Sequence, residues 1–263
     1  MRNKKQKLTK KKYKIIRNVV VFLLLIVLTT TFFIIKNKNK AIATFGQVEQ
    51  IGNSLKDIDL EKKNEILVNT SSADAIVQTF NKAIDESLEY YIKVNNTTNT
   101  VIIYTKDDDG YYTIPERTMT CSTGRATPLY GKYTTPGMKN RWHTLFGHTP
   151  GTYVYGQYIT QITGNILFHS VPYTRMGDPS SLEYWEFDKL GTEASAGCIR
   201  LTVEDAKWIY DNVRTGTTVE FYCDNDPGPL GKPEVQKISD NTECRGWDPT
   251  DPDNNNPWKK GDS

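Results

Sequence analysis

The chain has 263 residues, enough for one medium domain with appendages or for two small domains. Its formal net charge of +2 conceals an asymmetry, because residues 1–40 hold 12 of the 33 basic residues and none of the 31 acidic ones. The remainder carries 21 basic against 31 acidic residues, a balance of −10, which argues against nucleic acid as a partner because phosphate binding needs a positive footprint.

In chain order, a basic segment (residues 1–17) precedes an uncharged stretch at residues 18–35. As a helix this stretch would run roughly 27 Å, close to the hydrocarbon thickness of about 30 Å. The excess of Lys and Arg before it predicts a single-pass transmembrane helix with the N-terminus in the cytoplasm and the rest of the chain outside the cell. A cleaved signal peptide is the competing reading, on the small-residue run Ala41-Ile42-Ala43. Residues 36–89 read as a stalk. Within it Ala73, Ile76, Val77, Phe80, Ala83, Ile84 and Leu88 recur at three- and four-residue spacing, the stripe of a helix that Ser72 could cap.

From Tyr90 the period changes to that of strands. Strands are predicted at 91–94 and 101–104, joined as a hairpin across the turn cluster 95–99, and then at 111–114 and 117–121. Further short strands are expected at 151–155, 166–169 and 218–222. Short strands punctuated by Gly, Pro, Asn and Asp favour a β-sandwich or barrel over a βαβ sheet. One bracing helix is expected after Thr202. Thr202 and Asp205 approximate a capping box, Val203, Ala206, Ile209 and Val213 form the apolar stripe, and Gly216 stops it. Residues 223–263 are rich in Asp, Asn, Pro and Gly and read as an irregular tail, too polar to bury much apolar surface.

The chemistry concentrates at Cys198, in the run Ser195-Ala196-Gly197-Cys198-Ile199-Arg200-Leu201, and at His169, which ends the apolar run Ile166-Leu167-Phe168. A thiolate is a nucleophile, and an imidazole can generate it and later return the proton to a leaving amine. A buried or disulfide-bonded Cys198 is the alternative. Four cysteines in an exported body permit disulfides, with Cys223–Cys244 the favoured guess among three full pairings and Cys121 left over. His143 and His148 flank Leu145-Phe146-Gly147; they read more readily as surface or structural histidines than as cleft residues. No spacing of His, Cys or Asp suggests a metal, and no glycine loop suggests a bound phosphate.

In combination these motifs resemble the catalytic domain of the L,D-transpeptidases, the YkuD-like family. The resemblance rests on His169-Ser170, on Ser195-x-Gly197-Cys198-Ile199-Arg200, and on an upstream Ser122-Thr123-Gly124 turn with Thr127-Pro128 and Gly131-Lys132-Tyr133. It spans about residues 90–222. Two departures stand out. Ala196 occupies a position that is often His in the family, so His169 would carry the base role alone. The loop between His169 and Cys198 is also longer than usual.

The resemblance implies a mainly β, sandwich-like catalytic domain and a peptidoglycan cross-linking enzyme without a cofactor. Cys198 would attack the donor stem peptide, release its terminal D-Ala, and pass the acyl group to an acceptor amine in a 3→3 linkage. Backbone N–H groups at Gly197 and Cys198 would serve as oxyanion donors. Arg200, Ser170, Ser195 and Tyr173 are candidate substrate-binding or shaping residues. Arg200 could hold a carboxylate or sit in a surface ion pair. Ser170 could orient His169 or face solvent, and Ser195 most simply shapes the turn. Family members are typically sensitive to carbapenems. The competing functions are an L,D-carboxypeptidase or other thiol hydrolase of wall peptides, and a non-catalytic wall-binding module with Cys198 tied up in a disulfide.

Overall fold

A computed structural model describes residues 88–261, apart from His148 and Pro150. The predicted transmembrane helix and nearly all of the predicted stalk lie outside the described residues, as does His148. Among the described residues no helix is long and apolar enough to cross a membrane.

Among the described residues, nine strands form two sheets. The first has the order β3-β2-β1-β9-β4, built from β1 (Tyr90–Asn95), β2 (Thr100–Lys106), β3 (Tyr112–Thr120), β4 (Gly131–Thr134) and β9 (Thr218–Tyr222). The second has the order β5-β6-β7-β8, built from β5 (Lys139–Phe146), β6 (Tyr153–Thr163), β7 (Ile166–Ser170) and β8 (Ile199–Leu201). Pairings are antiparallel except β1 with β9 and β7 with β8. The expected β1–β2 hairpin is present. Its turn is held by Asn95 Oδ1, which accepts the Thr97 N–H at 3.0 Å, and it closes on Asn99 at φ +54°, a left-handed conformation that asparagine tolerates. The two strands predicted at 111–114 and 117–121 are one edge strand. Its register slips opposite Ile103 and Tyr104, and this bulge accommodates Pro115 where no ladder N–H is needed.

Both sheets contribute to one core. Ile92, Val94, Ile103 and Met119 come from the first sheet and Ile162, Phe168, Ile199 and Leu201 from the second. The predicted bracing helix is α2 (Val203–Asn212), preceded in the chain by a single turn, α1 (Tyr184–Phe187). Thr202 Oγ1 caps α2 by accepting the Asp205 N–H at 3.3 Å. Its buried stripe, Val203, Ala206 and Ile209, faces β6 and β7. Because α2 starts directly after β8, it anchors the strand that leads out of the cysteine loop.

The tail is irregular, as its composition predicts, but it is fastened to the domain by hydrogen bonds rather than apolar area. Asp248 Oδ2 accepts the Val203 N–H at 2.8 Å and Thr250 Oγ1 accepts the Glu204 N–H at 3.0 Å, so the tail satisfies orphan donors of the first turn of α2. Asp251 Oδ2 accepts from Gln157 Nε2 at 2.9 Å inside the second sheet, and Asn256 Nδ2 donates to the carbonyls of Asp248 and Asp251. The expected Cys223–Cys244 bridge is not formed, and all four cysteines are free thiols. Cys223 Sγ instead lies 3.7 Å from the Leu129 carbonyl.

Candidate active site

Cys198 lies at the entry to β8, and its position follows from alternation along that strand. Ile199 and Leu201 point into the core, so Cys198 and Arg200 share the opposite face. On the neighbouring strand β7, Phe168 is in the core and His169 lies on the other face, in register with Arg200. A cleft of about 360 Å³ opens there. Cys198, His169, Arg200, His143, Ser195 and Gly197 are among its lining residues, and Leu145, Ile166 and Leu167 supply apolar wall.

The loop that presents the thiol is clamped from its back. Gly124 and Ser195 form a β-bridge. The Gly124 N–H donates to Thr127 Oγ1 at 2.8 Å, and that hydroxyl donates to the Gly197 carbonyl at 2.7 Å. Ser195 Oγ donates to the Cys198 carbonyl at 2.6 Å, which makes Ser195 a turn-shaping residue. Gly197 is closely packed: a Cβ there would meet Ala126 Cβ and Ile166 Cδ1 at 3.1 Å each, so a larger residue would press on both. The Ser122 hydroxyl donates to the Lys189 carbonyl at 3.1 Å, and the Ser122 backbone exchanges two 2.9 Å hydrogen bonds with Arg200.

His169 is 2% exposed, and its Nδ1 lies 2.6 Å from the Ser170 carbonyl. A carbonyl can only accept, so Nδ1 carries the hydrogen and Nε2 keeps its lone pair. Ser170 therefore orients His169 through its backbone. Its hydroxyl is fully buried rather than facing solvent, accepting the Gln157 N–H at 2.9 Å. Burial, reinforced by the Arg200 charge, depresses His169 to about 3, so the imidazole is neutral at physiological pH. The Cys198 thiol donates to the Asn165 carbonyl at 3.4 Å. Burial raises its pKa, while the Leu167 N–H and the Arg200 charge pull the other way. The cleft thus holds a neutral thiol and a neutral imidazole.

Arg200 is not in a surface ion pair. Its Nη1 lies 2.5 Å from Glu186 Oε2, with the two side chains 7% and 3% exposed, and Lys189 Nζ holds the other Glu186 oxygen at 2.6 Å. Tyr173, expected among the substrate-binding residues, is not among those that line the cleft. It is fully buried, packed edge-on to Trp142 at 5.1 Å and fixed inward by bridges to Tyr155 and Leu182. His143 does line the cleft, with Nδ1 3.3 Å from Asn140 Nδ2. Sequence reasoning missed Glu186, which stands among aromatic residues with no motif around it. It also missed Asn165, whose contribution is a backbone carbonyl.

The fold and cleft define a class: a two-sheet β domain that presents a cysteine and a histidine from adjacent parallel strands to one groove. The model of the YkuD family, the L,D-transpeptidase catalytic domain, matches residues 89–221, and the chain belongs to that family. This makes it an enzyme domain of the transpeptidase, or acyltransferase, type. Over 94 residues the chain is 40% identical to the Bacillus subtilis (strain 168) protein named "Putative L,D-transpeptidase YciB". That match covers 36% of the chain and 45% of the relative, so the chain spans less than half of that relative's length. Among solved structures it is similar to an L,D-transpeptidase from Mycobacterium smegmatis, with a TM-score of 0.41 and 20% identity over 52% of this chain and 59% of that one. It is also similar to LdtMt1 in complex with imipenem, with a TM-score of 0.40 and 20% identity over 51% and 59%.

Proposed function

We propose that this protein is a membrane-anchored peptidoglycan L,D-transpeptidase acting outside the cell, with Cys198 as nucleophile and His169 as general base and acid. The observation that carries the reading is that both side chains line one cleft and that the Ser170 carbonyl leaves His169 Nε2 unprotonated. Nε2 takes the thiol proton as sulfur attacks the donor carbonyl. Negative charge on the carbonyl oxygen is met by backbone N–H groups at Gly197 and Cys198, a contribution often worth several kcal/mol. The carbon–nitrogen bond then breaks, and the imidazolium returns its proton to the departing amine of D-Ala. An acceptor amine attacks the thioester, its proton passes to His169, and the thiol is regenerated as the 3→3 amide forms. Water in place of the amine gives L,D-carboxypeptidase activity, and this is the second reading. Anchoring through residues 18–35 places the domain beside its wall substrate.

Intact-mass spectrometry with imipenem tests the site. A single covalent adduct on the wild-type protein, absent from Cys198→Ala and slowed at least 100-fold in His169→Ala, is the expected result. An adduct that persists in Cys198→Ala overturns the assignment. Muropeptide products separate the two reactions: cross-linked dimers identify the transpeptidase, and trimmed monomers with free D-Ala identify the hydrolase.

A further inference from the structure

We propose that Glu186 is a positioning residue for the reactive pair: by neutralising Arg200 it sets the electrostatic field in which Cys198 and His169 exchange a proton, an inference that rests on the site reading above. The geometry is specific. Arg200 is the register partner of His169 across two parallel strands, which stand about 4.8 Å apart. It also shares the cleft face of its strand with Cys198, two residues away. A guanidinium in that place acts on both groups. Its charge pulls Cys198 toward thiolate, against the burial that raises that thiol overall, and adds to the burial that disfavours imidazolium at His169.

Arg200 is nearly buried, so its field is poorly screened by water. Glu186 meets it at 2.5 Å, from the single turn α1 in the long loop between His169 and Cys198. Burial opposes ionisation of Glu186, but Lys189 and Arg200 outweigh it and hold the carboxyl below its ordinary range. The carboxylate is therefore charged wherever the enzyme works. Among the described residues, Arg200 and His143 bear on His169, and Arg200 bears on Cys198. Arg200 and Lys189 both bear on Glu186. The long loop thus has an electrostatic task in addition to any contact with substrate.

The test is the pH profile of iodoacetamide alkylation at Cys198, read by peptide mass spectrometry so that Cys121, Cys223 and Cys244 do not interfere. Glu186→Gln removes one negative charge from the guanidinium and is expected to lower the midpoint by about one pH unit. That is the effect of one charge over roughly 10 Å at an effective dielectric near 20. Arg200→Gln is expected to raise the midpoint, and the neutral double variant Glu186→Gln/Arg200→Gln to return it to within about 0.3 units of wild type, a factor of roughly two in thiolate fraction. Glu186→Asp should rescue the single change. Either single variant that folds, checked by thermal melting, is sufficient. A wild-type midpoint in a folded single variant overturns the inference while leaving the site intact. Failure of wild-type Cys198 to react at any pH overturns the site reading itself.

Discussion

Replacing Gly124 by alanine should disable the cysteine loop without touching either reactive residue. A Cβ at position 124 would lie 2.2 Å from the Ser195 carbonyl oxygen, 2.3 Å from Ser195 Oγ and 2.5 Å from the Ser195 carbonyl carbon. Such contacts do not close below 3.0 Å, so the two backbones must separate by about 0.8 Å. No flexible side chain can yield, because two of the three clashing atoms are main chain. Ser195 is tied forward to the Cys198 carbonyl, and Gly197 is tied back through Thr127 to the Gly124 N–H, so the displacement is passed to the thiol. A misplacement near 1 Å costs roughly 100-fold in rate, and overpacking of this kind about 1–3 kcal/mol in stability. The assay is the rate of imipenem acylation beside a thermal melt. Gly110→Ala serves as control: it sits at φ +84° with open space around a Cβ, so it should cost some stability and leave acylation unchanged. Wild-type acylation in a folded Gly124→Ala protein would refute the claim that this clamp positions the nucleophile.

Tyr173→Phe should keep wild-type acylation and change stability by no more than about 1 kcal/mol by thermal or urea unfolding, because the buried Tyr173 hydroxyl has only a poorly aligned contact with the Gln157 side chain. A large loss of acylation would return Tyr173 to the substrate site. Asp248 is raised to about 6 by burial, against the pull of its hydrogen bonds from Thr250 and Val203. A folded-state carboxyl above its unfolded value of about 3.8 binds its proton more tightly when folded, so its contribution is present at low pH and lost as pH rises through that window. The loss amounts to about 3 kcal/mol. Asp248→Asn should flatten unfolding free energy between about pH 4 and 6 relative to wild type; parallel curves would refute it. Alkylation of Cys198 in the wild-type protein should fall about tenfold per pH unit below neutrality, with no thiolate plateau, since the thiol is raised and His169 is neutral. A plateau between pH 4 and 7 would show a preformed ion pair instead.

The elements legible in the sequence were those with a clean period or a cap. The strands β1, β2, β7 and β9 carry alternating or continuous apolar runs, and α2 announces itself through Thr202 and its stripe. β5 stayed hidden because both of its faces are only partly buried, so Lys139 to Phe146 shows no apolar alternation. Most of β6 was missed because its interior positions include Gly156, Gln157 and Thr160, polar or small residues buried by hydrogen bonding and close packing. The same blindness concealed the tail: hydropathy registers apolar area, whereas Asp248, Asp251 and Asn256 dock through paired donors and acceptors. At the site, Cys198 and His169 could be read from local motifs. Glu186 could not, because a buried carboxylate is identified by a partner 14 residues away that only the fold brings near. Tyr173, a candidate substrate-binding residue in the sequence, is fully buried and packed edge-on to Trp142, a placement set by long-range packing that no local motif encodes.

The electrostatics of Cys198 and His169 bear on how the proposed mechanism would keep its thiol unreactive between turnovers. With the thiol raised by burial and the imidazole depressed to about 3, moving the proton from sulfur to nitrogen in the resting protein is strongly uphill, so attack on a carbonyl has to accompany the transfer. In the absence of substrate the thiolate fraction is minute, so oxidants and stray electrophiles find a poor nucleophile. The same depression of His169 makes its imidazolium a strong acid, suited to protonating a departing amine. On the proposed mechanism, the half-buried thiol and the buried imidazole, with an Arg200 charge partly offset by Glu186, serve both steps: the sulfur stays inert until a peptide is bound, and the proton is easily returned to the departing amine.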